Sequence, residues 1–364
     1  MKIAVLGVGL IGGSIGLAAR RRLDAEVAGF DPDAANLARA LELGALDAAA
    51  PAVGEAVAGA RVIFCAAPVG ALPQLVEAAL AASGPDAVVT DVGSTKRELI
   101  EGLAAAGEDA RFIGGHPLAG AETAGVANAR AELLEGARWY LTPTGRSSGV
   151  LYDLLQGTVA DLGARPQAID AATHDRVMAT VSHLPHVLAN VLVAEAAAAL
   201  SEEAERLPEV GRSFRDTTRV AGANPAIWAD IFASNREAVA EGIESVGDRL
   251  RAAAALIRGG DRGAVGDWHA KAGEDRRRLL ESDLAGGELR ELRIGVANQP
   301  GTVAEIALAL GHGQVNIEDM ALYPAPDMRT GAISVWIAGA AEAERAAEIV
   351  RGLGHVVSVV AGGT

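Results

Sequence analysis

The chain has 364 residues, of which 50% are hydrophobic and 22% are charged, and its formal net charge is −15. This length predicts two or three globular domains, and the composition excludes a largely disordered chain. The acidic balance argues against a nucleic-acid partner, which would require a basic surface.

Cysteine content and hydropathy bear on the compartment. The only cysteine, Cys65, lies in an apolar run, which predicts a small buried side chain in a reducing, cytoplasmic protein. The chain starts directly on a strand-like run, which argues against a signal peptide. The longest apolar stretch, 187–200, is interrupted by Asn190 and Glu195 and is short for a membrane span, so no membrane association is expected.

The first 165 residues alternate short apolar runs with helical patterns. The predicted strands are 2–6, 26–30, 61–66, 87–91, 111–113 and 138–141, and the segments between them, such as 33–43 and 72–82, have helical periodicity. Alternating strands and helices are typical of a mostly parallel sheet with helices on both faces. We therefore predict a doubly wound α/β domain of the Rossmann type over 1–165.

A glycine-rich loop directly follows the first predicted strand and precedes a helix. In this GxGxxG pattern Gly7 permits the tight turn, Gly9 lets a pyrophosphate approach the backbone, and Gly12 permits close packing of the helix. The predicted cofactor contacts in the loop are Gly7, Gly9, Leu10, Ile11 and Gly12. Such a pattern predicts a dinucleotide site at the helix N-terminus.

An acidic residue at the end of the second strand sets the expected cofactor. A carboxylate at Asp31 would accept hydrogen bonds from the ribose 2′-hydroxyl and repel a 2′-phosphate, which favours NAD over NADP. Ligands of such sheets lie beyond the carboxyl ends of the strands. Three segments follow such ends, 67–69, 91–96 and 114–118, and all three are predicted to face the nicotinamide end of the cofactor. Ala67, Pro68 and Val69 are the predicted cofactor contacts among them.

The pattern changes twice after the first domain. Residues 171–200, 224–257 and 265–280 carry apolar residues at helical spacing, which predicts an all-helical domain over 166–285, with a kink at Pro185. Residues 289–364 then follow the order strand, helix, strand, strand, helix, strand. That order predicts a small ferredoxin-like βαββαβ domain.

Several separate motifs resemble those of the prephenate dehydrogenase family. They are Gly-His-Pro-Leu-Ala-Gly at 115–120, Ser-His-Leu-Pro-His at 182–186, Phe-Arg-Asp-Thr-Thr-Arg-Val-Ala at 214–221, and shorter matches at 91–96 and 228–231. The region 290–360, with Asn-Gln-Pro-Gly at 298–301 and Val-Asn-Ile at 315–317, resembles an ACT domain. Asn298 and Gln299 stand where an acidic residue is usual before Pro-Gly, and Asn224 also departs from the usual acidic residue before proline.

The resemblance implies a reaction and its regulation. The family oxidises prephenate with NAD, releases carbon dioxide and gives 4-hydroxyphenylpyruvate on the way to tyrosine. It also implies a homodimer formed through the helical domain. An ACT domain implies feedback by an amino acid such as tyrosine, with Asn298, Gly301, Asn316 and Ile317 as the candidate effector contacts.

The resemblance also suggests roles for individual residues. His116 is the candidate that accepts the proton of the substrate hydroxyl, because a neutral imidazole can do so near neutral pH. Ser94 is expected to orient that histidine and the hydroxyl, or to cap a helix that starts near Lys96. Arg219 is the candidate anchor for a substrate carboxylate, oriented by Asp216 or merely paired with it.

Three further side chains are candidate substrate contacts: His183, His186 and Trp228. The tryptophan is equally consistent with core packing. A metal site formed by the histidines is not expected, because hydride transfer to NAD needs none. Lys96 and the run Arg20, Arg21 and Arg22 are predicted to lie on solvated faces without a role.

Other functions remain open from the sequence. Arogenate differs from prephenate by an ammonium in place of a keto group, and no acidic partner for an ammonium is evident. A regulator that senses NAD and an amino acid without catalysis is a second alternative, against which the set His116, Ser94 and Arg219 argues. A β-hydroxyacid dehydrogenase would need a catalytic lysine in the helical domain, where only Lys271 is present.

Overall fold

The computed structural model describes residues 1–107, 110–120, 123, 125–201, 210–281, 289–297, 299, 301–325 and 329–360. The chain divides into two compact units, Met1–Leu250 and Arg251–Thr364.

A five-stranded parallel sheet forms the centre of the first unit. Its strands are β1 (Lys2–Leu6), β2 (Glu26–Phe30), β3 (Ala48–Ala49), β4 (Val62–Cys65) and β5 (Val88–Asp91), in the spatial order β3-β2-β1-β4-β5. Its helices are α1 (Leu10–Leu23), α2 (Ala34–Glu42), α3 (Val53–Val57), α4 (Leu72–Ala82) and α5 (Arg97–Ala106). The order reverses between β1 and β4, which is where open α/β sheets bind their ligands.

Burial on both faces explains the apolar runs of these strands. Along β1, Ile3 and Val5 point into one core and Ala4 and Leu6 into the other, and all four are fully buried. Such two-sided burial is typical of parallel sheets covered by helices. Cys65 at the end of β4 is also fully buried, as predicted, and burial raises the pKa of its thiol.

A separate three-stranded sheet follows, made of β6 (Gly114–Pro117), β7 (Arg138–Thr142) and β8 (Arg165–Ala168), with α6 (Gly149–Asp161) between the last two. The strand predicted at 111–113 was wrong, since only Phe112 there forms a single bridge, to Val89. Pairing starts instead at two glycines. A Cβ on Gly115 would lie 2.5 Å from the carbonyl oxygen of Asp91, so the missing side chain lets β6 approach β5 closely.

The rest of the first unit is helical. It comprises α7 (Ala171–Met178), a π-helical turn at Ala179–His183, α8 (Leu184–Ser201), α9 (Arg212–Thr218), α10 (Pro225–Ser234) and the start of α11 (Arg236–Gly259). A kink was predicted at Pro185, and the irregularity described there is the π-helical turn at Ala179–His183, which ends two residues before the proline. Proline lacks the N–H that a regular helix would use. The helix predicted over 224–257 is divided at Asn235, which is fully buried.

The second unit contains the last turns of α11, then α12 (Arg262–Glu281) and a four-stranded antiparallel sheet. The later elements are β9 (Leu289–Ala297), α13 (Thr302–His312), β10 (Asp319–Pro324), β11 (Thr330–Ala338), α14 (Ala340–Gly352) and β12 (Val356–Val360). The spatial order is β10-β11-β9-β12, and the chain order is the expected βαββαβ.

One helical stretch, Ala171–Ala199, is long and apolar enough by length and hydropathy alone to cross a membrane, and 28% of its most apolar window is buried. The core helix of a water-soluble protein passes the same test, so a single stretch of this kind carries little weight.

Candidate active site

The glycine-rich loop between β1 and α1 is shaped by close backbone contacts. Gly7 has φ +94°, and a Cβ there would lie 2.4 Å from the carbonyl oxygen of Ala66. A Cβ on Gly12 would lie 2.0 Å from the carbonyl oxygen of Gly7. At Gly9, in contrast, a Cβ would meet nothing within 4 Å, so the backbone there borders open space.

The surroundings of this open space suit a dinucleotide. The first turn of α1, which begins at Leu10 and Ile11, carries no acidic side chain. Its free N–H groups and the positive end of the helix dipole therefore favour a pyrophosphate. The geometry of the loop is therefore compatible with a bound NAD pyrophosphate.

Asp31 holds the loop from the end of β2. One carboxylate oxygen accepts a hydrogen bond from the N–H of Val8 at 2.7 Å, and the other accepts from the N–H of Asp33 at 2.9 Å. The side-chain amide of Asn36 donates to the second oxygen at 3.3 Å. A carboxylate has about four lone-pair positions, so capacity for a ribose hydroxyl remains.

The segment after β4 lies beside the glycine loop, since Ala66 touches Gly7. Ala67 and Val69 are partly buried, whereas Pro68 is exposed. The N–H of Gly70 donates to the carboxylate of Asp230 on α10 at 3.2 Å.

A buried ion pair connects β5, α5 and β6. The ammonium of Lys96 donates to the carboxylate of Asp91 and, at 2.8 Å, to the carbonyl oxygen of Gly115, and both charged side chains are fully buried. Asp91 also accepts from the N–H of Gly115 at 3.0 Å and from that of Gly93 at 2.8 Å. The prediction of a solvated Lys96 was therefore wrong. The lysine is buried because its charge is paired with the carboxylate of Asp91 at the end of β5.

His116 follows Gly115 on β6 and belongs to a chain of hydrogen bonds. Its Nδ1 lies 2.9 Å from Nε2 of His174 on α7, and Nδ1 of His174 lies 2.8 Å from a carboxylate oxygen of Asp175. Burial, followed by the neighbouring His174 and Lys96, holds the pKa of His116 well below its usual value. The His116 ring is therefore neutral near pH 7.

A second histidine group lies on the π-helical turn and α8. His183 is buried, and burial lowers its pKa to about 4. The side-chain nitrogen of Asn235 lies 3.2 Å from Nδ1 of His183, while Nε2 of His183 has no hydrogen-bond partner among the described residues. His183 also contributes to lowering the pKa of His116, which places the two rings in one electrostatic environment.

Trp228 joins this group to α10. Its ring stacks on His186 with a centroid distance of 3.5 Å and meets the ring of His183 edge-on at 5.9 Å. The tryptophan is only half-buried, so it lines the histidine group rather than filling a core. Burial and then the charge of Arg219 lower the pKa of His186, which places the guanidinium near this ring.

The remaining predicted site residues occupy different settings. Asp216 forms an exposed ion pair with Arg212 at 3.6 Å. Ser94 lies partly buried in the loop between β5 and α5, and within the described part of the chain no hydrogen bond joins it to His116. It does not cap α5 either, because the N-cap position belongs to Lys96.

Three residues of the site were missed from the sequence: His174, Asp175 and Asn235. A histidine beside an aspartate at the start of a long helix was the only available signal for the first two. No sequence pattern marked Asn235 as a site residue, because the apolar spacing predicted a continuous helix over 224–257. Across the described ranges, no group of three or more His, Cys, Asp and Glu side chains is arranged to hold a metal ion.

The predicted effector contacts belong to the second unit. Asn298 lies outside the described residues. Gly301 has φ +96° at the start of α13, Asn316 donates to the carboxylate of Glu318 at 2.8 Å, and Ile317 packs against the core of the small domain.

Known proteins resemble most of the chain. The family model described as "Prephenate dehydrogenase, nucleotide-binding domain" matches residues 15–167, and that described as "Prephenate dehydrogenase, dimerization domain" matches residues 170–269. Prephenate dehydrogenase of Lactococcus lactis subsp. cremoris is 32% identical over 317 residues, which cover 85% of this chain and 86% of the relative. That of Bacillus subtilis is 29% identical over 327 residues, 87% of each chain.

A solved structure is also similar. The crystal structure of prephenate dehydrogenase from A. aeolicus in complex with hydroxyphenyl propionate and NAD+ has a TM-score of 0.72 and 28% identity, covering 77% of this chain and 98% of that chain. The two family models together span the later part of α1, the β6 histidine and the helical histidine group. The chain therefore belongs to the prephenate dehydrogenase family.

Proposed function

We propose that the chain catalyses the NAD-dependent oxidative decarboxylation of prephenate to 4-hydroxyphenylpyruvate, a step of tyrosine biosynthesis. The observation that carries the proposal is the convergence of four ring side chains and one guanidinium in one unit. His183 acts electrostatically on His116, Trp228 contacts His183 and His186, and Arg219 acts on His186.

The chemistry divides among these groups. His116 accepts the proton of the ring hydroxyl while the hydrogen on the same carbon departs as hydride. NAD supplies the hydride acceptor. Loss of carbon dioxide then makes the ring aromatic, and the proton returns from His116 to the phenolate oxygen, so the histidine is regenerated.

The substrate dianion needs donors for its two carboxylates. Arg219 offers a bidentate guanidinium group for one carboxylate. His183 and His186 each offer the single ring N–H of a neutral imidazole. Trp228 would hold the apolar face of the substrate. Asp216 is assigned to the orientation of the 212–219 segment, and Ser94 to the substrate hydroxyl.

The cofactor residues are those of the glycine loop and the adjacent strand ends. Gly7, Gly9 and Gly12 with Leu10 and Ile11 would carry the pyrophosphate, and Asp31 the adenosine ribose. Ala67, Pro68 and Val69 would border the cofactor beyond β4. The open space at Gly9 and the uncharged first turn of α1 support this assignment.

The experiment compares substrates and cofactors on the purified full chain. NADH formation is followed with prephenate and with arogenate, and each is repeated with NADP. We expect kcat/KM to be highest for prephenate with NAD. A higher value with arogenate would reassign the substrate. Tight NAD binding without turnover on either compound would support a non-catalytic sensor instead.

The oligomer and location follow from the same assignment. The dimerization-domain match over 170–269 indicates oligomerisation, and we propose a homodimer formed through these helices in the cytoplasm. The proposed domains are 1–165, 166–285 and 289–364, although β8 continues the second sheet to Ala168.

The C-terminal βαββαβ domain is proposed to be an ACT-like regulatory module that binds tyrosine. Its strand order and its left-handed Gly301 at the start of α13 support this. Added tyrosine should lower the rate of the full chain, and Asn316→Ala should weaken that inhibition without changing the uninhibited kcat. A rate that is insensitive to tyrosine and to other amino acids would contradict the regulatory role.

A further inference from the structure

Asp175 fixes the proton position on His174. Its carboxylate accepts the N–H of Lys96 at 2.8 Å and that of Arg97 at 2.9 Å, and the oxygen that binds Lys96 also lies 2.8 Å from Nδ1 of His174. An ionised carboxylate only accepts hydrogen bonds. Nδ1 of His174 therefore carries the hydrogen.

The same reasoning passes to the next ring. A neutral His174 with a hydrogen on Nδ1 has a lone pair on Nε2, which lies 2.9 Å from Nδ1 of His116. With His174 in that form, the hydrogen in the contact is the one on Nδ1 of His116. The remaining nitrogen of His116, Nε2, is then unprotonated, which is the form that can take a proton.

We propose that His174, held by Asp175, is a positioning residue that keeps His116 in the tautomer with an unprotonated Nε2. This inference rests on the proposed role of His116 as the proton acceptor. Asp175 and His174 do not touch the substrate in this scheme. They act through His116, in the way that a carboxylate orients a histidine base.

The neighbours of the two rings favour a neutral His116 and hold His174 in place. Burial and the charge of Lys96 disfavour a second proton on the His116 ring. The phenol ring of Tyr140 on β7 meets His174 edge-on at 5.6 Å, and His116 meets it edge-on at 5.1 Å. His174 is thus packed on two sides, is fully buried, and has both ring nitrogens hydrogen-bonded.

Two substitutions separate the two bonds of His174. In His174→Asn the side-chain amide can reach Asp175 but not His116. The hydrogen bond to Asp175 therefore stays, and the hydrogen bond to His116 is lost. In His174→Gln the longer side chain places an amide oxygen near the position of Nε2, where it can accept from His116. His269→Asn makes the same chemical change at an exposed site and serves as the control.

We expect kcat of His174→Asn to fall about tenfold to a hundredfold, which is the size of one lost orienting hydrogen bond, with little change in KM or NAD affinity. His174→Gln should recover most of the rate, and His269→Asn should behave as the unmodified chain. A kcat for His174→Asn within twofold of the unmodified chain would overturn the proposal. So would equal losses in the asparagine and glutamine variants when both keep the melting temperature of the unmodified chain.

A direct measurement covers the case in which the variants fail to fold. Nitrogen-15 NMR of histidine-labelled full chain, with His116→Asn to assign the signal, reports which ring nitrogen of His116 is protonated. We expect hydrogen on Nδ1 near neutral pH, and hydrogen on Nε2 would refute the proposal. The NMR measurement of the tautomer does not require turnover. A fully active His116→Asn would therefore refute the role of His116 as proton acceptor without changing the NMR result on the tautomer.

Discussion

The buried polar side chains are the feature that a sequence conveys least well. Lys96, His174 and Asn235 each bond to a group distant in the chain, such as the carbonyl oxygen of Gly115 for the lysine. Removing one partner of a buried ion pair typically costs about 3–5 kcal/mol, so the pair is favourable only where both charges meet. Tertiary pairing of this kind leaves no local pattern, whereas His116, His183 and His186 were recognisable from their motifs.

The lowered pKa of His183 predicts how stability depends on pH. The unfolded chain protonates this histidine below about pH 6.5, whereas the folded chain does so only below about 4. Between these values the unfolded state binds the extra proton, so the free energy of unfolding falls as pH falls, by roughly 3 kcal/mol for this group.

Urea unfolding at pH 7 and pH 4.5 tests this in the unmodified chain and in His183→Gln. Glutamine has no charge to gain, so the variant should lose less stability than the unmodified chain on acidification. Most other groups contribute equally to both proteins, and His116 differs only by the loss of His183, the last of the causes that lower its pKa. Parallel losses in the two proteins would show that His183 is not held neutral by the fold.

At the scale of elements, the strand–loop–helix unit at the N-terminus was largely predictable. The glycine spacing and the strand before it identified the loop, and the close contacts at Gly7 and Gly12 explain two of the three glycines. Pro185 predicted a kink but not the π-helical turn at Ala179–His183. The helix break at Asn235 was not predictable, because its side chain donates to the buried carbonyl oxygen of Asp175 on another helix.

The glycine loop yields a paired prediction. Gly9→Ala should change the free energy of unfolding by less than about 1 kcal/mol, because its Cβ meets open space. Gly12→Ala should destabilise the chain by about 2–3 kcal/mol, because its Cβ would overlap a backbone oxygen. Urea unfolding measures both.

The affinity for NAD is the property that Gly9→Ala should change. Gly9→Ala should weaken NAD binding by at least about tenfold while remaining folded, which calorimetric titration would detect. Unchanged NAD affinity in Gly9→Ala would mean that the space at Gly9 is not where the pyrophosphate lies.

At the scale of the whole molecule, the sequence indicated the succession of a parallel α/β region, a helical region and a βαββαβ region. The boundaries between these regions were less predictable. Strand β8 pairs with β7 beyond the expected domain boundary at 165, and no change in composition marks that pairing. The helical region leaves apolar side chains exposed along one helix: Val181, Leu188, Val191, Leu192 and Val193.

We expect these side chains to contribute to the surface of the proposed dimer, because exposed apolar side chains in number often mark an interaction site. Val191→Asp should shift the chain from dimer to monomer in sedimentation velocity at micromolar concentration. Val150→Asp, on α6, changes an even more exposed valine outside the dimerization-domain match and should leave the dimer intact. A dimer that survives Val191→Asp would place the interface elsewhere.

The most direct test of the account measures kcat with prephenate and the Kd for NAD in His116→Asn and in the unmodified chain. Asparagine keeps a polar side chain but cannot take up the proton, so kcat should fall by about 10²–10⁴-fold, while the Kd for NAD stays within about twofold because the glycine loop is untouched. A variant that retains the kcat of the unmodified chain would contradict the assignment of His116 as the proton acceptor.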